Sequence, residues 1–272
     1  MTGRYFETAD GCRLAFVDEG EGLPVLWQHG LGADRRQPAE VFPAIDSIRR
    51  ITLECRGHGL SALGSVTALS IAQFADDTVA LLDHLGIGRA VVGGISLGAA
   101  VALRIAVSRP ERAAALILAR PAWVDTAGPA QLRIYRDVAD LLAKHGAREG
   151  LMRLEAGERL QEIEVVSTDN AASMRGFFTR SDPESTIALL SRIPAQGPDV
   201  QRSDIGGLDL PTLVVANGQD YVHPVEMAQT LADLIPGSTL RIVTSKSVSR
   251  NEYLAGMERA LREFLMPMRS AS

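Results

Sequence analysis

The 272-residue sequence has only two cysteines, Cys12 and Cys55, which form neither a C-x-x-C pair nor a metal-ligand spacing. Neither a disulfide framework nor a zinc centre is suggested, and two buried free thiols are the expectation. No apolar run approaches the roughly 20 residues of a membrane-spanning helix, so no membrane partner is expected. The first residues, Met1-Thr2-Gly3-Arg4-Tyr5, lack the apolar stretch of a secretory signal, and a soluble cytoplasmic protein follows as the expectation. Basic residues are slightly outnumbered, 28 Lys and Arg against 33 Asp and Glu, for a net charge of -5 with both signs interspersed. Without a basic stripe to neutralise phosphates, no nucleic-acid partner is expected. Histidine is also scarce: there are five, and none follows His223.

What is present is 46% hydrophobic residues in a pattern of short apolar runs alternating with longer segments of helical period. That pattern predicts an α/β fold, a mostly parallel sheet covered by helices. Residues 14–17 read as an early antiparallel strand. Residues 24–28, 50–54, 90–93 and 114–118 read as further strands. A helix is predicted over 70–85, with Ser70 as its N-cap and Ile71, Phe74, Ala75, Val79, Leu82 and Leu85 near a 3.6-residue spacing. Another is predicted over 97–108. From 122 to 209 the strand signal lapses into several helices, including 131–144 and 185–192. The basic side chains of this stretch are matched by about as many acids, as on a solvated helical surface. The α/β pattern returns with a strand at 212–216, a helix at 224–234, a strand at 240–243 and a closing helix to about Leu265. The organisation is therefore core (1–121), helical lid (122–209) and core again (210–272), one structural domain plus a lid.

The strongest chemical signal is Gly94-Ile95-Ser96-Leu97-Gly98, set between an apolar strand and an alanine-rich helix. A serine on such a tight turn is held in a strained backbone, with its hydroxyl in a cleft. The helix that begins at Leu97 aims N–H groups and a positive dipole end at any oxyanion formed there. In these residues and their context the sequence resembles the α/β-hydrolase family, over nearly the whole chain. His29-Gly30-Leu31-Gly32 follows a strand as the family's oxyanion loop does. The resemblance implies that the N–H of Leu31 pairs with that of Leu97. Arg56-Gly57-His58-Gly59-Leu60-Ser61 is similar to the family's R-G-H-G-x-S loop, which makes His29 and His58 structural. Asn217-Gly218-Gln219-Asp220 ends a strand where the family places its triad acid, which assigns that role to Asp220.

The family's histidine would fall near Val248, within residues 244–249, and none lies there. Ser249-x-x-Glu252 reads instead as a capping box that starts the last helix at once. A serine hydroxyl needs a base within reach. His223, three residues beyond Asp220, is the first candidate, because its imidazole titrates near neutrality; the alternative is a substrate-contacting or helix-capping histidine. Lys246 is the second, and would require a depressed pKa; otherwise it is a surface residue or a contact to a substrate carboxylate. Arg120, with Trp123 nearby, ends a strand on the ligand-binding side of the sheet. Its guanidinium suits either a carboxylate or enolate substrate or a salt bridge to an acid of the lid. The expected activity is hydrolysis of an ester or lactone of a small metabolite, with no cofactor and no metal. A non-hydrolytic enzyme of the same fold (lyase, isomerase or cofactor-free oxygen-using) and a ligand-binding protein that has lost catalysis stay open as alternatives.

Overall fold

The computed structural model describes residues 3–271, so Met1 and Thr2, on which the amino-terminal reading partly rests, lie outside it. Eight strands form one sheet: β1 (Arg4–Glu7), β2 (Arg13–Glu19), β3 (Leu23–Gln28), β4 (Ile48–Leu53), β5 (Ala90–Ile95), β6 (Ala113–Ala119), β7 (Thr212–Asn217) and β8 (Thr239–Val243), in the order β1-β2-β4-β3-β5-β6-β7-β8. β2 pairs antiparallel with β1 and β4, and every other pairing is parallel. The central strands are buried on both faces, which is why β5 and β6 read as near-continuous apolar runs rather than as alternation.

Alternate residues of those strands feed two apolar layers. Val92, Leu116 and Leu118 join one, and Val91, Ala115 and Ile117 the other. The second layer is closed by residues flanking the end of α1 (Arg36–Val41) and by Tyr253, Met257, Leu261 and Leu265 of α10 (Arg250–Leu265). The first is covered by α2 (Ile71–His84), α3 (Leu97–Ser108) and α9 (Val225–Leu234). Ser70 caps α2 as its spacing predicts, accepting from the N–H of Gln73 at 2.9 Å. α3 spans the predicted residues without change.

Between β6 and β7 the chain runs through α4 (Arg133–Glu155), α5 (Glu158–Val166), α6 (Thr168–Gly176), α7 (Pro183–Arg192) and α8 (Arg202–Gly206), with no strand among them. The helix expected at 131–144 runs to Glu155, through a break at Gly146, whose φ of 70° glycine adopts without a Cβ penalty. Apolar side chains of this insertion, among them Tyr135, Val138, Phe177 and Leu189, pack in the same layer as Leu31, Leu97 and Trp123. The inserted helices thus share one apolar layer with the loop after β3 and the start of α3. Cys12 and Cys55 are free and buried. No helix among the described residues is long and apolar enough to cross a membrane.

Candidate active site

Ser96 is the single residue between β5 and α3, at φ 57° and ψ -110°. A left-handed backbone of this kind costs a non-glycine residue about 1–3 kcal/mol and persists only where its surroundings fix it. Here the Ser96 N–H donates to Ala119 O at 3.0 Å, and its carbonyl accepts from Ala99 and Ala100 at the start of α3. The flanking glycines serve close approach. A Cβ on Gly98 would lie 2.3 Å from the carbonyl oxygen of Gln28, and one on Gly94 would lie 2.7 Å from the same atom. Any side chain there would lever α3 away from β3.

The loop His29-Gly30-Leu31-Gly32, which the resemblance reads as an oxyanion loop, follows β3. The Gly30 N–H donates to Gln37 Oε1 at 2.7 Å and the Gly32 N–H to His58 Nε2 at 3.0 Å. Between them, the N–H of Leu31 has no acceptor among the described residues, and neither has that of Leu97 at the first position of α3. His29 and His58 are structural, as the motif implies. His29 accepts from the Cys55 N–H and donates to Gly30 O, and His58 accepts from Gly32 and donates to Arg56 O. Both rings are fully buried, and burial pushes both below their ordinary pKa of 6.5. Arg56 is ion-paired with Asp77 and Asp10, which fixes the second loop.

Asp220 lies just past β7 and is buried. Its Oδ1 accepts from the backbone N–H of His223 at 3.1 Å and from His223 Nδ1 at 2.9 Å. Its Oδ2 accepts from Arg120 Nε at 2.8 Å and from Asn217 Nδ2 at 3.3 Å, and is ion-paired with Arg120 Nη2 at 2.7 Å. Burial opposes ionisation of this carboxyl, but His223 and Arg120 hold it well below the usual carboxylate range. A carboxylate partner assigns the proton of His223 to Nδ1 and leaves the lone pair on Nε2. Nε2 is buried and has no hydrogen-bond partner among the described residues, so it is not bonded to Ser96 in this conformation. Burial lowers the His223 pKa below 6.5, and Arg120 adds to this against the opposing pull of Asp220.

Arg120 reaches an acid of the insertion too, since its Nη2 is 3.5 Å from Asp169 Oδ2. Lys246 Nζ lies 3.5 Å from Asp169 Oδ1. Trp123 is buried and donates its indole N–H to Gln196 O at 2.7 Å, tying the start of the insertion to its later part. The structure therefore joins Asp220, His223 and Arg120 directly, and Lys246 to them through Asp169. Three participants escaped sequence reading. Asp169 and Asn170 follow the N-cap Ser167 of α6 and read only as a helix start, and Tyr253 reads only as a core residue of α10. Yet the Val222 N–H donates to Asn170 Oδ1 at 2.9 Å, and the Arg120 guanidinium lies 5.7 Å from the centre of the Tyr253 ring.

A family model described as alpha/beta hydrolase fold matches residues 24–246. The chain is similar to 2-hydroxymuconate semialdehyde hydrolase of Pseudomonas putida, at 30% identity over 241 residues covering 86% of this chain and 83% of that one. It is also similar to 3-oxoadipate enol-lactonase 2 of Acinetobacter baylyi, at 29% identity covering 74% and 73%. Among solved structures, a thermophilic esterase from Thermogutta terrifontis superposes with a TM-score of 0.73 at 27% identity, covering 99% of this chain and all of that one, 100%. These relatives are hydrolases, and with the sheet order and the family match they show that the chain belongs to the α/β-hydrolase fold family.

Proposed function

We propose that this chain hydrolyses an ester or lactone of a small metabolite, with Ser96 as nucleophile, His223 as base and Asp220 as the acid that orients it. The observation that carries the reading is the Asp220–His223 pair: Nδ1 held by the carboxylate, and a buried Nε2 with its lone pair uncommitted. No histidine follows His223, so the loop after β8 supplies none, and the base is drawn from the acid's own loop.

In this mechanism the substrate draws Ser96 Oγ and His223 Nε2 into hydrogen-bond contact. Oγ attacks the carbonyl carbon as Nε2 takes its proton, and the carbonyl oxygen gathers negative charge against the N–H groups of Leu31 and Leu97. The imidazolium, steadied by Asp220, returns the proton to the leaving alkoxide or enolate. A water activated by the same nitrogen then releases the acid and frees Ser96. The helices within residues 122–209 act as the lid, excluding bulk water from the closed site. Lys246 serves as a tether to the lid rather than as the base, a role its contact with Asp169 supports. The named substrates of the relatives, a semialdehyde and an enol-lactone, favour small carbonyl compounds.

The test combines turnover of p-nitrophenyl acetate and butyrate with trapping by a fluorophosphonate probe. Wild type is expected to turn over and to label on Ser96. Ser96→Ala abolishes both, and His223→Ala lowers turnover by about 100-fold or more. The base must be neutral, so activity is expected to persist as pH falls to 6.5 and to fail only at lower pH. Absence of both labelling and turnover in wild type would overturn the serine mechanism. An active His223→Ala beside an inactive Lys246→Ala would reassign the base. A non-hydrolytic use of the same cleft is the second reading, favoured by the missing bond between Ser96 and His223 Nε2.

A further inference from the structure

We propose that Arg120 is a positioning residue that sets the orientation and the basicity of His223 through Asp220, and that it is not a receptor for a substrate carboxylate. This rests on the reading of Asp220 and His223 as the acid–base pair.

The first support is how firmly Arg120 is placed. It leaves β6 at φ 45°, a left-handed backbone rare for a long side chain, and its N–H donates to Val215 O at 2.7 Å. The side chain is thereby turned towards the loop after β7 and is buried. Its planar fork puts both Nε and Nη2 on one oxygen of Asp220, a geometry that an ammonium cannot reproduce. With Asn217 on the same oxygen, Oδ2 accepts two hydrogen bonds and holds the Nη2 ion-pair contact, and Oδ1 is left for His223. A carboxylate pinned in this way cannot rotate to offer Oδ2 to the imidazole. The ring plane and the Nδ1–H tautomer are fixed as a result, and Nε2 faces away from Asp220.

The second support is charge. Around His223 stand Asp220 on its own loop, Arg120 at the end of β6 and Asp169 on α6 with Lys246 behind it, and the phenols of Tyr135 on α4 and Tyr253 on α10 face the same Asp220, Arg120 and Asp169. Burial raises both phenols above their ordinary pKa, so they stay neutral. Two cations face two carboxylates, and a protonated His223 would add an unbalanced positive charge to a buried group. Arg120 therefore opposes protonation of the imidazole and keeps Nε2 available as an acceptor. The guanidinium is already committed to two acids, which leaves a substrate anion little to bind.

The experiment is an NMR titration of His223 in protein labelled with ¹⁵N-histidine, the resonance being assigned by its loss in His223→Asn. Arg120→Gln is expected to raise the His223 pKa by about one pH unit and to move the acid limb of kcat/KM to higher pH by the same amount. Arg120→Lys keeps the positive charge without the fork. It is expected to leave the pKa near that of wild type while lowering kcat and speeding exchange of the Nδ1 proton with solvent. A folded Arg120→Gln whose His223 pKa is unchanged overturns the proposal, as does a rise in KM with kcat and pH profile intact, the signature of a lost substrate contact. If Arg120→Gln does not fold, an unchanged kcat and an unchanged Nδ1 proton exchange in Arg120→Lys overturn it instead. The titration needs no turnover, so an inactive wild type would sink the proposed hydrolysis while the effect of Arg120 on His223 is still read.

Discussion

Three buried histidines occupy two different states of commitment. His29 and His58 use both ring nitrogens in hydrogen bonds to the backbone, whereas His223 uses only Nδ1. A buried imidazole nitrogen without a partner forgoes a hydrogen bond worth about 1 kcal/mol net, or more once its desolvation is counted. Ser96 adds a second cost at the same site, a left-handed backbone that a glycine would adopt without strain. Replacing Ser96 by Gly is therefore expected to stabilise the fold, by about 1 kcal/mol, while eliminating fluorophosphonate labelling. Thermal denaturation of Ser96→Gly beside wild type measures this. An unchanged or lowered Tm would mean that the elbow stores no strain at that residue. Local cost at the residues proposed to carry the chemistry is what a functional site, rather than an ornamental turn, would show.

The loop between β8 and α10 holds no histidine and packs against the insertion. Ser249 caps α10 directly, accepting from the Glu252 N–H, so the connection is short. Its side chains turn to the insertion instead. Ser247 Oγ lies 3.0 Å from Ser167 Oγ and accepts from the Asp169 N–H at 3.1 Å, while Lys246 meets the Asp169 carboxylate. Together with the bond from Val222 to Asn170, these contacts clamp the first turn of α6 onto two core loops. Ser247→Ala removes two of the bonds at a cost of about 1 kcal/mol. The amides of α6 are then expected to exchange with deuterium roughly fivefold faster, with those of β5 and β7 unchanged. Equal protection of α6 in variant and wild type would show that apolar packing alone holds it down.

For the whole molecule, the same burial makes stability depend on pH in two stages. His29, His58 and His223 have folded pKa values below the 6.5 of the free side chain, so the unfolded chain takes up protons first. Their contribution is complete above pH 6.5 and is lost as pH falls from there through the folded values, by up to about 1.4 kcal/mol per histidine per pH unit. The depressed carboxylates, Asp220, Glu54 and Asp18 among them, act later. Their contribution persists above the ordinary carboxylate pKa near 4 and disappears as pH falls through the still lower folded values. Tm is thus expected to begin falling between pH 6.5 and 5, before any carboxylate titrates. A Tm that is flat down to pH 4.5 would contradict this assignment of buried neutral rings.

At this same scale, local order and long-range contact separate what could be read early from what could not. The run of β5, the cap at Ser70, the capping serine at Ser249 and the elbow glycines are all properties of adjacent residues. Apolar periodicity and steric limits at φ and ψ write them directly into the chain, and the sheet with its helical layers follows. The placement of Asp220 after β7 and its closeness to His223 were legible for the same reason, being three residues apart. For Arg120 a salt bridge to an acid of the lid stood among the alternatives, but its pairing with Asp220 was not legible. Arg120 pairs across 100 positions of sequence with Asp220, and with Asp169 on an inserted helix whose orientation no periodicity specifies. The sequence by itself determined the α/β architecture and the absence of histidine from residues 244–249. Only the tertiary structure decided which charges face which, because electrostatic partnership depends on distance through the folded protein and not on distance along the chain.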